Sequence, residues 1–356
     1  MQSINRTRQY AADLADCRDR LRVGSRSFHA AAFLLPKGFC EPASALYAFC
    51  RIADDAIDND PDPERALHEL HGRLDAVYRD APHDDPADRA LARVVQEFGL
   101  PKRLFEALFE GFAWDAHGRR YATFDELLDY AARVAGTVGA MMAMLMGVRD
   151  PDRLARACDL GAAMQLSNIA RDVGEDARAG RVYLPLAWLE EANLSADDLI
   201  AAPAPSAALA QVTRRLLLEA ETLYRRADSG IAHLPWRCRP AIYAARSLYA
   251  EIGREVERQA CDSVSRRAVV PPWRKVGVLA RLRDLAALPA WSLREPALAS
   301  TAFLVQAAAT APMPVPMTPP AANRPVLFMI DMIEELNRRD READLSLAQE
   351  TAAAGR

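Results

Sequence analysis

Residues 44–60 of the chain read SALYAFCRIADDAIDND, and the pattern of this stretch predicts the kind of fold to which it belongs. On an α-helix of 3.6 residues per turn, one narrow stripe is polar and nearly every other position is apolar. The polar stripe contains Tyr47, Arg51, Asp54 or Asp55, and Asp58. A helix that is apolar nearly all round is buried. The stretch therefore predicts a helical protein in which carboxylates face the interior.

The two aspartates of this stripe, Asp54 and Asp58, stand four residues apart, so they lie one turn apart on the helix. Like charges at that spacing repel each other, and a buried carboxylate is costly unless a cation or a hydrogen-bond donor pairs with it. Carboxylate oxygens are the ligands that a hard cation such as Mg²⁺ prefers. Arg51, one turn earlier, can pair with Asp54 or hold a phosphate. The alternative is an acidic face in solvent near a helix end, because NDPDPE follows.

A second stretch, residues 161–185, reads GAAMQLSNIARDVGEDARAGRVYLP and repeats this pattern. Its polar helix face contains Gln165, Asn168, Asp172 and Asp176, with Arg171 beside it. Taken alone, this face also allows a charged surface ahead of a loop. Helical bundles build metal sites from acids on facing helices, and Mg²⁺ together with arginines can hold a diphosphate. Two such faces in one chain predict a site for a metal and a diphosphate.

The rest of the chain favours helices throughout. Alanine, leucine and arginine dominate, glycine is sparse at 16 residues, and proline and glycine clusters separate the long apolar periodic windows. These windows are 43–58, 87–98, 124–147, 153–173, 207–227 and 239–260. We predict an all-α protein with one helical domain over 1–290. An irregular proline-rich segment over 291–325 and a C-terminal amphipathic helix with its tail over 326–356 complete the prediction.

Bulk composition excludes several classes of protein. The 356 residues carry a formal net charge of −4, which argues against nucleic-acid binding. The six cysteines form no C-x-x-C pair, so neither a disulfide framework nor a zinc site is expected. The polar N-terminus has no apolar core of a secretory signal, and no run of about 18 apolar residues occurs. We expect a cytoplasmic protein, or one held peripherally at the inner face of the membrane.

Four segments of the chain resemble the phytoene/squalene synthase family, in the order that the family shows. YAFCRIADDAID resembles its first aspartate-rich motif, and QLSNIARDVGEDARAGRVYLP its second. RVAGTVGAMM at 133–142 and GSRSFHAAAFLLP at 24–36 resemble the segments between and before them, so the likeness spans roughly residues 15–285. It implies an isoprenoid synthase fold, a single helical bundle around a deep central cavity.

The resemblance also implies a reaction and the residues that perform it. The reaction is a head-to-head condensation of two identical allylic prenyl diphosphates, through a cyclopropylcarbinyl diphosphate, with three Mg²⁺ ions. The implied metal ligands are Asp54, Asp58, Asn168, Asp172 and Asp176. Further catalytic residues implied by the motifs are Tyr47, Arg51, Gln165 and Arg171. The substrate-binding residues are Ser25, Ser27, Arg51, Tyr130, Val134, Val138, Arg171, Tyr183, Tyr249 and Arg267, with Arg266 beside the last.

These motifs do not determine the length of the prenyl chain of the substrate or the identity of the product. We expect two geranylgeranyl diphosphates to give 15-cis-phytoene by way of prephytoene diphosphate, with Mg²⁺, or Mn²⁺ in its place, and without NADPH. Squalene or dehydrosqualene formation from farnesyl diphosphate is one alternative, and a non-enzymatic assembly factor of the same fold is another. A chain-elongating prenyltransferase would repeat DDxxD where Asp172–Asp176 reads DVGED. Cys40 stands where the family usually has arginine. The oligomeric state stays open.

Overall fold

The computed structural model describes residues 2–24, 34–280, 293 and 295–312 of the chain, and within them the side chains of 2–7, 23, 24, 37, 58, 59 and 279 lie outside the description. The described residues are helical and contain no β-strand, which confirms the all-α prediction. The predicted C-terminal helix over 326–356 and the serines Ser25 and Ser27 lie outside the described residues.

Fourteen α-helices and one π-helical turn make up the described part of the chain. In chain order the helices are α1 (Gln2–Gly24), α2 (Lys37–Asn59), α3 (Pro63–Tyr78), α4 (Pro86–Phe98), α5 (Lys102–Ala116), α6 (Phe124–Ala131), α7 (Thr137–Leu145), α8 (Pro151–Arg178), α9 (Leu186–Glu191), α10 (Ala196–Ala201), α11 (Ala207–Ile231), α12 (Arg239–Arg258), α13 (Pro272–Ala280) and α14 (Ala302–Ala309). The π-helical turn, Ala132–Gly136, joins α6 to α7.

Local sequence explains where these helices begin and end. Asp62, Asp85 and Asp150 each precede a proline, and each carboxylate accepts a backbone N–H from the first turn of the helix that follows. Helix α4 ends at Gly99, whose φ of 59° lies in the left-handed region that favours glycine. The proline and glycine clusters that separate the periodic windows therefore act as helix boundaries.

Helix α8 is the centre of the bundle, because it contacts α6, α7, α10, α11, α12 and α14 as well as the π-helical turn. Its crossing with the π-helical turn and α7 is unusually close. A Cβ atom added to Gly139 would lie 2.1 Å from the carbonyl oxygen of Ala157, and one on Gly161 would lie 2.1 Å from that of Ala135. Glycine at both positions is what allows these backbones to meet.

The periodic window over 124–147 is not one continuous α-helix. The N–H of Thr137 donates to the carbonyl of Ala132, one residue further back than in an α-helix, so the chain contains a π-helical turn at Ala132–Gly136. Apolar periodicity cannot distinguish this turn from an α-helix, since a single shift in register leaves the pattern on either side intact.

The prediction of an irregular segment over 291–325 is wrong for Ala302–Ala309, which form helix α14. The sequence AFLVQAAA favours a helix, and its apolar side packs on the bundle, where Leu304 and Ala308 are fully buried. Apart from Pro296, the prolines of this segment begin only at Pro312. Burial of an apolar face therefore decides the conformation here.

Candidate functional site

An apolar cavity of about 240 Å³ lies inside the bundle. Its walls come from the π-helical turn, α7, α8, α11 and α12. Apolar lining residues include Val134, Val138, Met142, Leu160, Met164 and Ile242. Four methionines lie close together in the sequence, at positions 141, 142, 144 and 146. Met142 and Met146 line the cavity, whereas Met141 and Met144 are buried in the core and do not line it. Gln165, Asn168 and Tyr249 also line it, on the stretches of α8 and α12 that lead toward the acidic residues.

The first acidic face lies on α2, one side of which is buried in the core. The guanidinium of Arg51 lies 3.2 Å from Asp54 Oδ2 and 2.6 Å from Asp55 Oδ1. Tyr47, one turn earlier, is half-buried, and the carboxylates themselves are partly exposed. Arg51 thus offsets one of the two negative charges that it contacts, and its guanidinium could pair with phosphate oxygens instead.

The second acidic face lies near the C-terminal end of α8. Asp172 accepts hydrogen bonds from Arg171, at 2.7 and 2.5 Å, and from Arg267, at 2.8 and 3.2 Å. Burial alone would raise the pKa of the Asp172 carboxyl, but the two guanidiniums outweigh burial and hold this pKa below its ordinary value. Asp172 is therefore a carboxylate at neutral pH, between two cations that a diphosphate could also recruit.

Asp176, one turn further along α8, has a different environment. Burial raises the pKa of its carboxyl, the charges of Asp172 and Asp115 add to that rise, and Arg181 opposes it, so that the pKa reaches about 7. Asp176 is a half-buried carboxyl with a raised pKa, and a cation bound beside it would stabilise its charged form.

Residues 260–267 bring Arg267 to Asp172. Gly174 donates its N–H to the carbonyl of Ser263 at 3.0 Å, and a Cβ on Gly174 would lie 2.6 Å from the Cα of Val264. The loop can approach α8 this closely only because residue 174 has no side chain. From the sequence, only the family resemblance implied that Arg267 belongs to the site. The close approach at Gly174 is the structural reason that a residue so distant in sequence reaches the second acidic face.

Sequence reasoning missed Asp115, at the C-terminal end of α5. Its carboxylate accepts hydrogen bonds from Tyr130, at 2.6 Å, and from Tyr183, at 2.8 Å. These two tyrosine rings stack with centroids 5.3 Å apart, and Tyr121 stacks on Tyr183. Burial and the Asp115 charge raise the pKa of both bonded tyrosines well above the ordinary value, so they stay protonated donors. The motif FAWDAHG offered no periodic or spacing signal for this role.

Tyr249 connects the two acidic faces and the cavity. It lines the cavity, and its pKa, raised by burial, is lowered in part by Arg171 on the second face. Tyr249 also contributes to the raised pKa of Tyr47 on the first face. Tyr249 is thus an electrostatic neighbour of Tyr47 on the first acidic face and of Arg171 on the second.

The donor set fits a hard divalent cation. Asn168, Asp172 and Asp176 succeed one another at four-residue spacing on α8 and offer only oxygen atoms. Within the described residues, no three side chains of His, Cys, Asp or Glu converge on one point. A diphosphate held by Arg51, Arg171 and Arg267 could offer further oxygens to a cation at this site.

Some predicted site residues contribute no geometry. Ser25 and Ser27 lie outside the described residues, as does the side chain of Asp58, although its backbone belongs to α2. Arg266 is exposed on the loop that carries Arg267. Cys40, in the position where an arginine was expected, is a half-buried thiol, and burial raises its pKa.

Comparison with known proteins adds a family-level match. A family model described as squalene/phytoene synthase matches residues 21–274. A phytoene synthase from Cereibacter sphaeroides is 52% identical over 316 residues, which cover 85% of this chain and 89% of that protein. A 15-cis-phytoene synthase from Paracoccus sp. is 42% identical over 271 residues, covering 73% of this chain and 88% of that protein.

Solved structures show the same architecture. A dehydrosqualene synthase in complex with a ligand superimposes with a TM-score of 0.71 at 32% identity, over 78% of this chain and 97% of that one. A squalene synthase from Alicyclobacillus acidocaldarius gives a TM-score of 0.66 at 25% identity, over 70% of this chain and 95% of that one. The predicted isoprenoid synthase fold is therefore confirmed.

Proposed function

The chain belongs to the squalene/phytoene synthase family, and from that premise we propose that it condenses two geranylgeranyl diphosphates head to head, by way of prephytoene diphosphate, to 15-cis-phytoene. The family identifies a prenyltransferase-type enzyme, which removes the non-enzymatic alternative. Relatives 41–52% identical over two thirds or more of this chain carry the names phytoene synthase or 15-cis-phytoene synthase.

The observation that carries the proposal is the junction of charge and apolar surface. Arg51 lies beside the carboxylates of the first acidic face, Arg171 and Arg267 lie beside Asp172 of the second, and Asn168 and Tyr249 line the cavity. Ionising an allylic diphosphate requires its departing charge to be neutralised, which guanidiniums can do. The cation left behind requires a wall without nucleophiles, and Val134, Val138 and their apolar neighbours supply one.

We propose Mg²⁺ as the cofactor, with Mn²⁺ as a substitute. Asp54 and Asp58 on α2, together with Asn168, Asp172 and Asp176 on α8, would hold the ions. When bound, the metal supplies positive charge to the diphosphate oxygens. The oxygen-only donor set and the raised pKa of Asp176 support this assignment. Gln165 and Tyr47 lie beside the same faces and would orient the substrate.

Tyr130 and Tyr183 would act at the edge of the same site. Their hydroxyls both donate to Asp115, and Asp115 raises the pKa of Asp176. We propose that this cluster holds the second acidic face in place through the hydrogen bonds to Asp115 and the stacking of Tyr183 on Tyr130.

A substrate assay tests the proposal. The purified full-length protein with Mg²⁺ and geranylgeranyl diphosphate should form phytoene without NADPH, and EDTA should stop the reaction. Chromatography of the extracted polyene identifies the product. A product that forms only from farnesyl diphosphate, or only when NADPH is present, would contradict the proposal.

The second candidate is squalene or dehydrosqualene formation from farnesyl diphosphate. It is favoured by one observation, the likeness to the structure of a dehydrosqualene synthase at 32% identity. Equal concentrations of farnesyl and geranylgeranyl diphosphate in one reaction distinguish the candidates. We expect the C40 product to dominate.

We also propose a cytoplasmic location with peripheral contact at the inner face of the membrane, since a C40 hydrocarbon must leave the cavity for an apolar phase. Among the described residues, no helix is both long and apolar enough to cross a membrane. Cell fractionation tests the proposal, and we expect a high-salt or carbonate wash to release the membrane-associated fraction.

A further inference from the structure

The π-helical turn, Ala132–Gly136, has two sides with different surroundings. Val134 and Ala135 line the cavity, as does Val138 just after the turn. Gly136 faces away from the cavity lining, toward α14, and a Cβ on Gly136 would lie 3.5 Å from Leu304 Cδ1. The turn is therefore a thin wall between the cavity and α14. A change in its register would move Val134 relative to Val138.

The hydroxyl of Thr137 holds this turn from within. Because the Thr137 N–H bonds to Ala132, it does not donate to the carbonyl of Arg133, its partner in an α-helix. The Thr137 hydroxyl donates to that carbonyl instead, at 2.6 Å. Thr137 is fully buried, so water does not compete for this bond. A buried carbonyl without a donor is costly, and the hydroxyl therefore favours the π register.

Helix α14 supports the turn from outside. Leu304 is fully buried and packs on Gly136, and the neighbouring Phe303 lies under the guanidinium of Arg133, 5.3 Å from ring centroid to Cζ. Helix α14 follows residue 274, where the match to the family model ends. The support is thus supplied by a part of this chain that the family model does not cover.

We propose that Thr137 and Leu304 are positioning residues that set the prenyl-chain selectivity of the cavity by holding the π-helical turn in register. Neither touches the cavity, since the lining includes Val134, Ala135, Val138 and Gly139 but not residues 136, 137 or 304. They affect the cavity indirectly, through the π-helical turn. Because the backbones already touch at Gly139 and Gly161, α8 has no free space into which it could move if the turn shifted. This inference rests on the proposed prenyl diphosphate function.

The test compares Thr137→Val with Thr137→Ser in the full-length protein. Valine keeps the shape of threonine but has no hydroxyl, whereas serine keeps the hydroxyl. The measured quantity is the ratio of kcat/KM for geranylgeranyl diphosphate to kcat/KM for farnesyl diphosphate. We expect Thr137→Val to change this ratio about tenfold, mainly through KM, the size of effect typical of a reshaped apolar pocket. Thr137→Ser should keep the wild-type ratio.

A second pair of variants tests the outer support. Leu304→Ala removes the side chain that packs on Gly136, and Val305→Ala truncates a buried neighbour on the same helix. Both should lower the melting temperature. We expect only Leu304→Ala to change the selectivity ratio. An unchanged ratio in both Thr137→Val and Leu304→Ala, with only lower melting temperatures, would overturn the inference and leave a purely structural role.

Failure of the inference can be distinguished from failure of the proposed function. A wild-type protein that turns over neither prenyl diphosphate would contradict the function. A wild-type protein that is selective, together with variants that are equally selective, would contradict only the inference. If Thr137→Val does not fold, Leu304→Ala and Thr137→Ser still decide the outcome.

Discussion

At the scale of single residues, Asp172 and Asp176 show how position sets chemistry. Both are aspartates on one face of α8, a single turn apart. Two guanidiniums contact Asp172 and hold its pKa low, whereas burial and neighbouring carboxylates raise the pKa of Asp176 to about 7. One face thus presents a permanent carboxylate and a titrating one. The sequence predicted both side chains as ligands but could not assign their protonation. That of Asp172 depends on Arg171 and on Arg267, ninety-five positions away, and that of Asp176 depends on burial and on the neighbouring carboxylates.

The raised pKa of Asp176 predicts a pH dependence of stability. Its carboxyl binds a proton more tightly in the folded than in the unfolded chain, since the folded pKa is about 7 and the ordinary value is 3.8. The stabilisation from this proton is complete below pH 3.8 and is lost as pH rises through 7. In chelator-treated protein, the stability of Asp176→Asn relative to wild type should therefore increase by about 1–3 kcal/mol as the pH rises from 5 to 8.

Urea unfolding at several pH values measures this difference between the two proteins. Glu191→Gln, an exposed surface carboxylate that pairs with Arg215, serves as the control and should show no such trend. A constant difference between Asp176→Asn and wild type across this range would show that Asp176 titrates normally.

Removal of one ligand carboxylate from either face should stop the reaction. We expect Asp54→Ala and Asp172→Ala each to reduce turnover at least about a thousandfold, because charge neutralisation at the leaving group is lost. Circular dichroism should show helical content close to wild type. The matched control is Asp197→Ala on α10. This variant breaks an exposed ion pair with Arg120 and should keep its activity. Near-normal turnover in Asp54→Ala or Asp172→Ala would refute the metal and diphosphate assignment.

At the scale of helices, the chain was predictable where apolar period and end signals agree. The windows over 87–98, 207–227 and 239–260 correspond to α4 (Pro86–Phe98), α11 (Ala207–Ile231) and α12 (Arg239–Arg258). The π-helical turn and α14 were missed. The first is a single shift of backbone register that leaves the apolar period intact, and the second depends on an apolar face that finds a partner only in the folded bundle.

The crossing of α8 with the cavity wall predicts a steric effect. Gly161→Ala would place a Cβ 2.1 Å from the carbonyl oxygen of Ala135, so the helices must separate. We expect a loss of about 2–4 kcal/mol in the free energy of unfolding and a clear loss of activity. Gly72→Ala on α3 is the control, since nothing lies within 4 Å of its added Cβ. That variant should be about 0.5–1 kcal/mol more stable than wild type, because alanine favours a helix.

Denaturant unfolding of the two glycine variants provides the comparison. Equal stability of Gly161→Ala and wild type would show that the helices can separate without cost. In that case the close crossing would not constrain the cavity.

At the scale of the whole molecule, a buried charged cluster joins residues 295–312 to the bundle. Asp159, fully buried on α8, lies 3.0 Å from both Arg156 and Arg226. Both guanidiniums donate to the carbonyl of Pro296, at 3.1 and 2.8 Å, and Arg226 also pairs with Glu295. Arg156 at the same time lines the cavity. The cluster therefore ties the segment that carries α14 to the helix at the centre of the site.

This cluster predicts that one substitution loosens a remote segment. Arg226→Ala removes the contacts to Glu295 and Pro296 and leaves Asp159 with Arg156 alone, at a cost of about 3–5 kcal/mol. Hydrogen exchange followed by mass spectrometry should show faster exchange over 295–312 than in wild type. Arg225→Ala is the neighbouring control, since the guanidinium of Arg225 donates to the hydroxyl of Thr222 on the same helix, and it should leave exchange over 295–312 unchanged. Exchange at the wild-type rate in Arg226→Ala would show that the apolar face of α14 alone holds residues 295–312 on the bundle.

The sequence by itself determined the helical class, the approximate extent of long periodic helices such as α4, α11 and α12, the two acidic faces and the family. These properties rest on local patterns, namely helical periodicity, capping residues, and motifs short enough to be read along one helix. Only the tertiary structure decided the protonation of Asp176, the contact of Arg267 with Asp172, the Asp115 cluster, the π-helical turn and the packing of α14. Each of these depends on burial or on contact between distant segments, and such contacts exist only once the chain is folded.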